Sequence, residues 1–268
     1  MGERGYAGLM AQQQSPAIVL RATEFGESDL IVHCFTREFG RLRGVAKGAK
    51  RSMKRFVGSL DFLAYVDLRF FEKKTSDLVR VDAATFRSQF PGIREDLDKL
   101  AEASLLAEIV TFGTGERETH RPLFDTLLRG LALIDHLPRW KPAGCGIGRM
   151  MEARVLSLMG FEPNLSACVR CRKALDAIRR ADFSVARGGI VCERCAITER
   201  DLIPVGVATL KLLAQGLRAE VDAFPRFAWT SRSAVEAARI LHPFAQVHLG
   251  RELRTLRFMT SLARAIGG

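Results

Sequence analysis

The chain has 268 residues, enough for two domains or one large one, and its 47% hydrophobic and 26% charged residues are ordinary for a globular protein. No stretch approaches the roughly 20 uninterrupted apolar residues that a membrane-spanning helix needs. Forty-one lysines and arginines against 30 acids leave a net charge of +11, which points to a polyanionic partner such as nucleic acid or an anionic membrane surface, with a merely basic surface as the alternative.

Residues 1–15, MGERGYAGLMAQQQS, carry no hydrophobic signal core. They read as a disordered N-terminal extension of a cytosolic protein, with Met10 as an alternative start. Short β-type runs follow at Ala17–Arg21, Leu30–Thr36, Leu42–Ala46, Leu63–Phe71 and Leu78–Phe86, with turns at Gly26–Asp29, Glu38–Arg41 and Glu72–Asp77. Five short strands within residues 16–90 predict a small barrel, with the OB-fold as the leading candidate.

One segment of that barrel is strongly basic. Arg37, Arg41, Arg43, Lys47, Lys50, Arg51, Lys54 and Arg55 fall between residues 37 and 55 with Glu38 as the sole acid, among glycines 40, 44 and 48. Cations spaced along a supple loop on a barrel suit a phosphate-tracking groove, where counterion release drives binding. A solvated charge run is the alternative. The interleaved phenylalanines 35, 39, 56, 62, 70 and 71 include candidate base-stackers, though most belong in a barrel core. The glycines and Lys47 lack the order of a phosphate-binding Walker loop.

Pro91-Gly92 marks a change of period, and residues 91–268 read as a helical domain. Apolar residues recur at helical spacing from Leu97 to Phe112, from Pro122 to Ile134, and from Ile147 to Met159, where Gly160 is the expected C-cap. Further helices are expected near Val205–Gln215, Arg232–Phe244 and Leu253–Ala265. The third and fourth are separated by an insert, 165–197, that contains Cys168-x-x-Cys171 and Cys192-x-x-Cys195. Two such knuckles twenty residues apart match a four-thiolate zinc site: one Zn²⁺ per chain, closed to substrate and therefore structural. Arg170, Arg172, Lys173, Arg187 and Arg194 favour thiolate over thiol. Between the knuckles, Phe183–Val191 alternates around Gly188-Gly189 and reads as a β-hairpin, giving a zinc-ribbon-like element that relies on metal to fold. The overall expectation is an α+β, multi-domain chain. Cys34 and Cys145 read as buried structural thiols.

Catalytic signals are poor. Histidines 33, 120, 136, 242 and 248 form no metal-protease or triad pattern, and the carboxylates are scattered without a close pair. A binding protein is expected, not an enzyme.

The order of features then carries a resemblance. Ile18-Val-Leu-Arg and Gly26-Glu-Ser-Asp-Leu are followed by Phe35-Thr-Arg-Glu-Phe-Gly40 and Gly44-Val-Ala-Lys-Gly-Ala-Lys-Arg51. Gly160-Phe-Glu-Pro163, the paired knuckles and a closing His248-Leu-Gly-Arg-Glu-Leu-Arg-Thr-Leu-Arg-Phe258 come next. Over residues 16–260 this resembles the RecO family of bacterial recombination mediators. The resemblance implies an OB-fold joined to a zinc-bearing helical domain that binds single- and double-stranded DNA and anneals complementary strands. It further implies action with RecR to load RecA onto strands coated by single-strand-binding protein, in the cytoplasm and at the nucleoid, with no membrane partner. The basic segment Arg41–Arg55 would hold DNA. The acidic, Phe-ended tail of the single-strand-binding protein would dock on the helical domain, with Arg121 and Arg129 as first candidates. Arg251, Arg254 and Arg257, spaced by three, are a candidate second phosphate contact, with surface solvation as the alternative. One departure is Arg254-Thr255 in place of the family's usual Lys-Ser pair; it keeps the charge and the hydroxyl. The competing reading is an RNA-binding OB-fold and zinc-ribbon protein of translation or RNA metabolism.

Overall fold

The computed structural model describes residues 12–52, 55–72, 76–138, 140 and 142–266. It divides into two compact units: the chain up to Phe90 together with Thr114–Phe124, and Pro91–Gly113 together with the chain from Asp125 on.

The first unit is a closed five-stranded barrel of order β1-β2-β3-β5-β4, built from β1 (Gln12–Phe25), β2 (Asp29–Thr36), β3 (Gly40–Ala46), β4 (Tyr65–Phe71) and β5 (Val79–Ser88). β3 and β5 run parallel, the other neighbours antiparallel, and β1 closes the barrel on β4. Period-two alternation sends Val32, Cys34, Leu42, Ala46, Val66, Leu68 and Phe70 inward. Burial pushes the Cys34 thiol up to about 12, so it stays protonated. Ala49, Phe56, Leu60 and Ala64 of the β3–β4 connection join the same core. That loop is therefore partly anchored by apolar side chains.

Two expectations are corrected here. Gln12–Ser15, expected within the disordered extension, pair with Leu68–Phe71, so the barrel includes them; residues 1–11 lie outside those described. The polar Gln-Gln-Gln run hides this because β1 is solvated at that end and its ladder is made by backbone groups. Thr114–Phe124, expected in the helical domain, belongs to the barrel unit. The Arg41 guanidinium donates to the Thr114 carbonyl at 2.7 Å, the Arg117 N–H donates to the Arg41 carbonyl at 2.9 Å, and Phe124 meets Phe35 with ring centroids 5.7 Å apart. Gly40 makes this close approach possible. It sits at φ +63°, and a Cβ there would lie 2.1 Å from the Glu118 carbonyl oxygen. Gly40→Ala is expected to destabilise the first unit by about 2–3 kcal/mol, read as a lowered thermal midpoint.

The second unit comprises α1 (Pro91–Arg94), α2 (Leu97–Gly113), most of α3 (Arg121–His136), α4 (Pro142–Leu158), α5 (Val207–Gly216), α6 (Ser231–Leu249) and α7 (Arg254–Ile266). Leu105, Leu106, Ile109, Met150, Met151, Val155, Ile240, Leu241 and Phe244 form its core. Lys99 is buried on α2 and donates to the carbonyls of Asp135 and Leu137, satisfying the last turn of α3. α6 starts at a Thr230–Ser233 capping box and ends at Gly250 at φ +65°. It continues five residues past the expected end at Phe244, with Pro243 inside it, because Phe244 and Ala245 remain buried.

Within this unit β6 (Ala181–Ser184) and β7 (Gly189–Cys192) form the predicted hairpin, with Gly188 at φ +64°. A third strand, β8 (Leu202–Val205), lies beyond the expected end of the insert at 197 and pairs with β6. Phe183, Ile190 and Val191 are fully buried, and Phe183 packs edge-on against Phe244 of α6.

Candidate functional site

The two knuckles converge. The sulfurs of Cys168, Cys171, Cys192 and Cys195 all lie within 4.8 Å of one another, with Cys171 and Cys192 3.6 Å apart. Four thiolates at 2.3 Å from one tetrahedral ion would sit about 3.8 Å apart, so this donor set can hold a metal ion. The backbone prepares it. The Cys168 N–H donates to the Lys173 carbonyl, the Arg172 N–H donates to the Cys168 carbonyl, and the Cys192 N–H approaches the Cys168 sulfur at 3.4 Å. Burial raises the Cys168 thiol, but N–H groups of Cys171, Cys192 and Arg170 outweigh it and bring it down to about 6. Burial and the neighbouring sulfurs push Cys195 the other way, to about 12, the repulsion that a divalent cation would relieve. Gly189 permits the fold of the first knuckle over the hairpin, since a Cβ there would meet Val169 at 2.5 Å and the Asn164 carbonyl at 2.8 Å.

The cations around this centre are less available than their spacing suggests. Lys173 pairs with Glu193 at 2.6 Å, while Arg170 and Arg187 reach Glu199 at 3.0 and 3.1 Å. Lys173 still feels Cys192 and Cys171, after Glu193, and is raised by all three.

The basic segment of the barrel divides into three parts. Arg37 lies in the β2–β3 turn beside Glu38. Arg41 and Arg43 are on β3, not on a loop: Arg41 is spent on Thr114, and Arg43 pairs with Glu116 at 2.9 Å. The spacing could not reveal this, because their partners are some seventy residues away in sequence. Lys47, Lys50, Arg51 and Arg55 do occupy the β3–β4 loop; Lys54 lies outside the described residues. A 3₁₀ turn at Ala49–Arg51 is held to the β1–β2 turn by the Lys50 N–H on the Ser28 carbonyl (3.0 Å) and the Gly48 N–H on the Asp29 carboxylate (2.8 Å). The Gly48 N–H holds Asp29 below its usual carboxylate value. Arg55 stacks over Phe56 at 5.0 Å and donates to the Lys47 carbonyl. Lys50 and Arg51 meet Glu24 at 2.8 Å and Glu27 at 3.8 Å, acids that are 80% and 93% exposed. Such solvated pairs are weak, so a polyanion can displace the acids.

The remaining candidates do not gather. Arg129 is held between Glu220 (3.0 Å) and Asp222 (2.7 Å), so it is no open cation for an acidic tail. Arg121 is exposed in the first unit. Arg251 precedes α7 and lies over the Phe112 ring at 4.5 Å. It therefore does not share a helical face with Arg254 and Arg257, because the αL turn at Gly250 places it outside the helix. Arg257 approaches Glu252 at 4.0 Å, and the Arg254 N–H caps onto Glu108. On β2 Cys34 is buried in the barrel core, as expected of a structural thiol, and its neighbour His33 lies on the other face of the strand; the Cys145 side chain lies outside those described.

One constellation escaped the sequence reading. Glu102 of α2 and Glu152 of α4, judged scattered, flank Arg149 of α4 in the core of the second unit, with His242 of α6 against the same guanidinium. Neither Glu152 oxygen has an aligned hydrogen bond among the described residues, although Arg149 is 3.0 Å away. Burial drives Glu152 up to about 7, against the pull of Arg149 and with the push of Glu102. Raised in the fold from an ordinary 4.5, this group contributes stability that is complete below about pH 4.5 and lost as pH rises through about 7. His242, depressed by burial and Arg149, acts with the opposite sign, gaining stability as pH rises toward its ordinary value. Comparison with Glu152→Gln isolates the carboxyl. From pH 5 to 8 the wild type should lose stability relative to that variant, on the order of 3 kcal/mol, measured by denaturant unfolding at each pH.

The barrel and the cysteine-centred helical unit together define a class: OB-barrel proteins whose helical portion carries a four-thiol cluster. Comparison with known families places the chain within it. Residues 10–90 match the model described as recombination protein O N terminal, and residues 94–257 the model described as recombination protein O C terminal. The chain is 32% identical to the DNA repair protein RecO of Syntrophus aciditrophicus, over 95% of its own length and 97% of that protein's. It is 33% identical to the RecO protein of Desulfatibacillum aliphaticivorans (92% and 96% covered) and 32% identical to that of Anaeromyxobacter dehalogenans strain 2CP-C (94% and 97%). The chain belongs to the RecO family.

Proposed function

We propose that the protein acts in DNA repair and homologous recombination by binding single- and double-stranded DNA and annealing complementary strands. With RecR it would help RecA load onto strands coated by single-strand-binding protein. The observation that carries this reading is the β3–β4 loop: four described cations, two with solvated acids opposite them, seated by backbone N–H groups against Ser28 and Asp29 at the β1–β2 turn of the barrel. Two like-charged strands repel, and a cationic surface that screens them lowers the cost of their encounter. Annealing needs no covalent step, and the protein is read as a non-enzymatic mediator.

The four cysteines would hold one structural Zn²⁺, whose charge stabilises the thiolates and closes the insert. Four thiolates would complete the tetrahedral shell and leave no open position, while Arg170 and Arg187 pair with Glu199 and Lys173 with Glu193 nearby. Among the described residues no helix is long and apolar enough to cross a membrane, consistent with work in the cytoplasm at the nucleoid. The single-strand-binding protein tail would seek an apolar, cation-rimmed place on the second unit other than Arg129.

The test is annealing of complementary strands pre-coated with the cognate single-strand-binding protein, followed by fluorescence. Acceleration that depends on Lys47–Arg55 is expected. A folded, zinc-loaded protein that accelerates nothing would overturn the reading and favour an RNA ligand.

A further inference from the structure

Strand register puts a second set of cations on the outer wall of the barrel, separate from the β3–β4 loop. Arg21, His33 and Arg43 form one rung across β1, β2 and β3; Thr23, Ile31, Val45 and Arg80 form another that extends to β5. The alternate rungs put Val32, Val79, Ala46 and Val81 in the core, so these side chains face outward. Phe25 ends the same row of β1 at the β1–β2 turn and is 52% exposed. Arg21, Thr23 and Arg80 are exposed as well, and Ile31, His33 and Val45 are half-buried. The segment Thr114–Glu118 covers only the opposite end of the wall, where it meets Gly40, Arg41 and Arg43.

The wall is electropositive. Among the described residues neither Arg21 nor Arg80 makes an ion pair. Asp29, Asp82 and Glu116, the acids beside these rungs, are engaged by the Gly48 N–H, Arg69 and Arg43. His33 registers the field: burial first, then Arg21, Arg43 and Arg41, holds its imidazole below the ordinary value against an opposing pull from Glu116. Ile31 and Val45 lie side by side on β2 and β3, between the strands that carry the two unpaired arginines. Next to Phe25 the ground is open, since a Cβ on Gly26 would meet nothing within 4 Å.

Charge and apolar contact together select the occupant. Cations alone suit any polyanion, a duplex included. An apolar strip and a free aromatic gain nothing from a duplex, whose bases stack on one another, whereas an unpaired strand can lay bases on them. We propose that the outer wall of β1, β2 and β3 is a track for an unpaired nucleic-acid strand, with phosphates on Arg21 and Arg80 and bases against Ile31, Val45 and the Phe25 ring. The inference rests on the nucleic-acid reading of the loop and deepens it. The Lys50 N–H on the Ser28 carbonyl ties that loop to the turn that Phe25 enters, so one strand can run from loop to wall. The loop supplies charge for paired and unpaired strands alike, and the wall supplies the preference for unpaired ones.

The experiment uses the full chain, fluorescence anisotropy across a salt series, and two labelled strands of equal length and charge: oligothymidylate and its abasic counterpart. Wild-type protein should prefer the base-bearing strand by about tenfold, the scale of one base–aromatic stack. Phe25→Ala should abolish most of that preference without changing the salt slope, and Phe25→Trp should keep it. Arg21→Ala combined with Arg80→Ala should flatten the slope of log K against log salt by about 1.4, two phosphate contacts at roughly 0.7 each, and leave the preference in place. All three positions are exposed, and thermal melting of each variant checks its fold. Equal wild-type affinity for the two strands, a preference that survives Phe25→Ala, or an unchanged slope in the double arginine variant would overturn the track while leaving the loop reading intact. Strand binding unchanged in every variant would assign the wall to a protein partner instead. Absence of salt-dependent binding to either strand would overturn the loop reading, and the track with it.

Discussion

Cys168→Ser combined with Cys171→Ser is expected to yield a protein without stoichiometric zinc whose second unit is largely unfolded or aggregated. The four sulfurs lie within 4.8 Å of one another, so two serines remove half of the donor set and leave two thiols that cannot close a tetrahedral shell. The apparent free energy of structural zinc in small fingers is about 10–16 kcal/mol, comparable to the whole stability of an ordinary domain. The damage would not stop at the insert. Phe183, Ile190 and Val191 are fully buried, and Phe183 packs on Phe244 of α6. A hairpin that frays without its metal therefore exposes core surface of the helical unit. Elemental analysis of the wild type together with thermal melting of both proteins decides the matter. A wild type devoid of zinc and a variant with an unchanged melting midpoint would remove the metal from the account.

Replacing Lys47, Lys50, Arg51 and Arg55 with alanine should weaken single-strand binding on the order of a hundredfold at 0.1 M salt. The dependence of log K on log salt should flatten by up to about 2.8, as four phosphate contacts at roughly 0.7 each are lost. Glu24 and Glu27 already screen two of these cations, but they are exposed, so the discount is small. Arg41→Ala should behave differently. Its guanidinium is committed to Thr114, so its loss should lower the stability of the barrel unit and leave the salt slope nearly unchanged. An unchanged slope in the fourfold variant would sink the loop assignment. A flattened slope in Arg41→Ala would return that residue to the interface.

Much of the architecture was legible in the chain because it rests on local rules. The barrel strands announced themselves through alternation, as in Gly40–Ala46, where every second residue is buried. The hairpin announced itself through Gly188-Gly189, and α2 through α7 through three-to-four-residue apolar spacing. Misjudged features had distant causes. Gln12–Ser15 look like a tail until β4 supplies the ladder partners. β8 is only four residues long and owes its existence to the edge of β6.

The four-cysteine cluster was legible in sequence alone, since a Cys-x-x-Cys knuckle is a local geometric unit and two of them suffice for a tetrahedral donor set. The basic character of the segment from Arg37 to Arg55 was likewise written in composition, as was the resemblance that placed the chain in its family. Tertiary structure alone decided which of the candidate cations, in that segment and on α3, remain open to a ligand. Arg41, Arg43 and Arg129 are consumed by Thr114, Glu116, Glu220 and Asp222, while Lys50 and Arg51 face only solvated acids. It also decided that Glu102, Arg149, Glu152 and His242 share one buried site, and that Phe56 is buried in the barrel core while Phe62 stays partly exposed. The physical reason is common to all of these. A side chain's charge and shape are local properties, but its desolvation and its partners are set by whatever the fold brings against it from elsewhere in the chain.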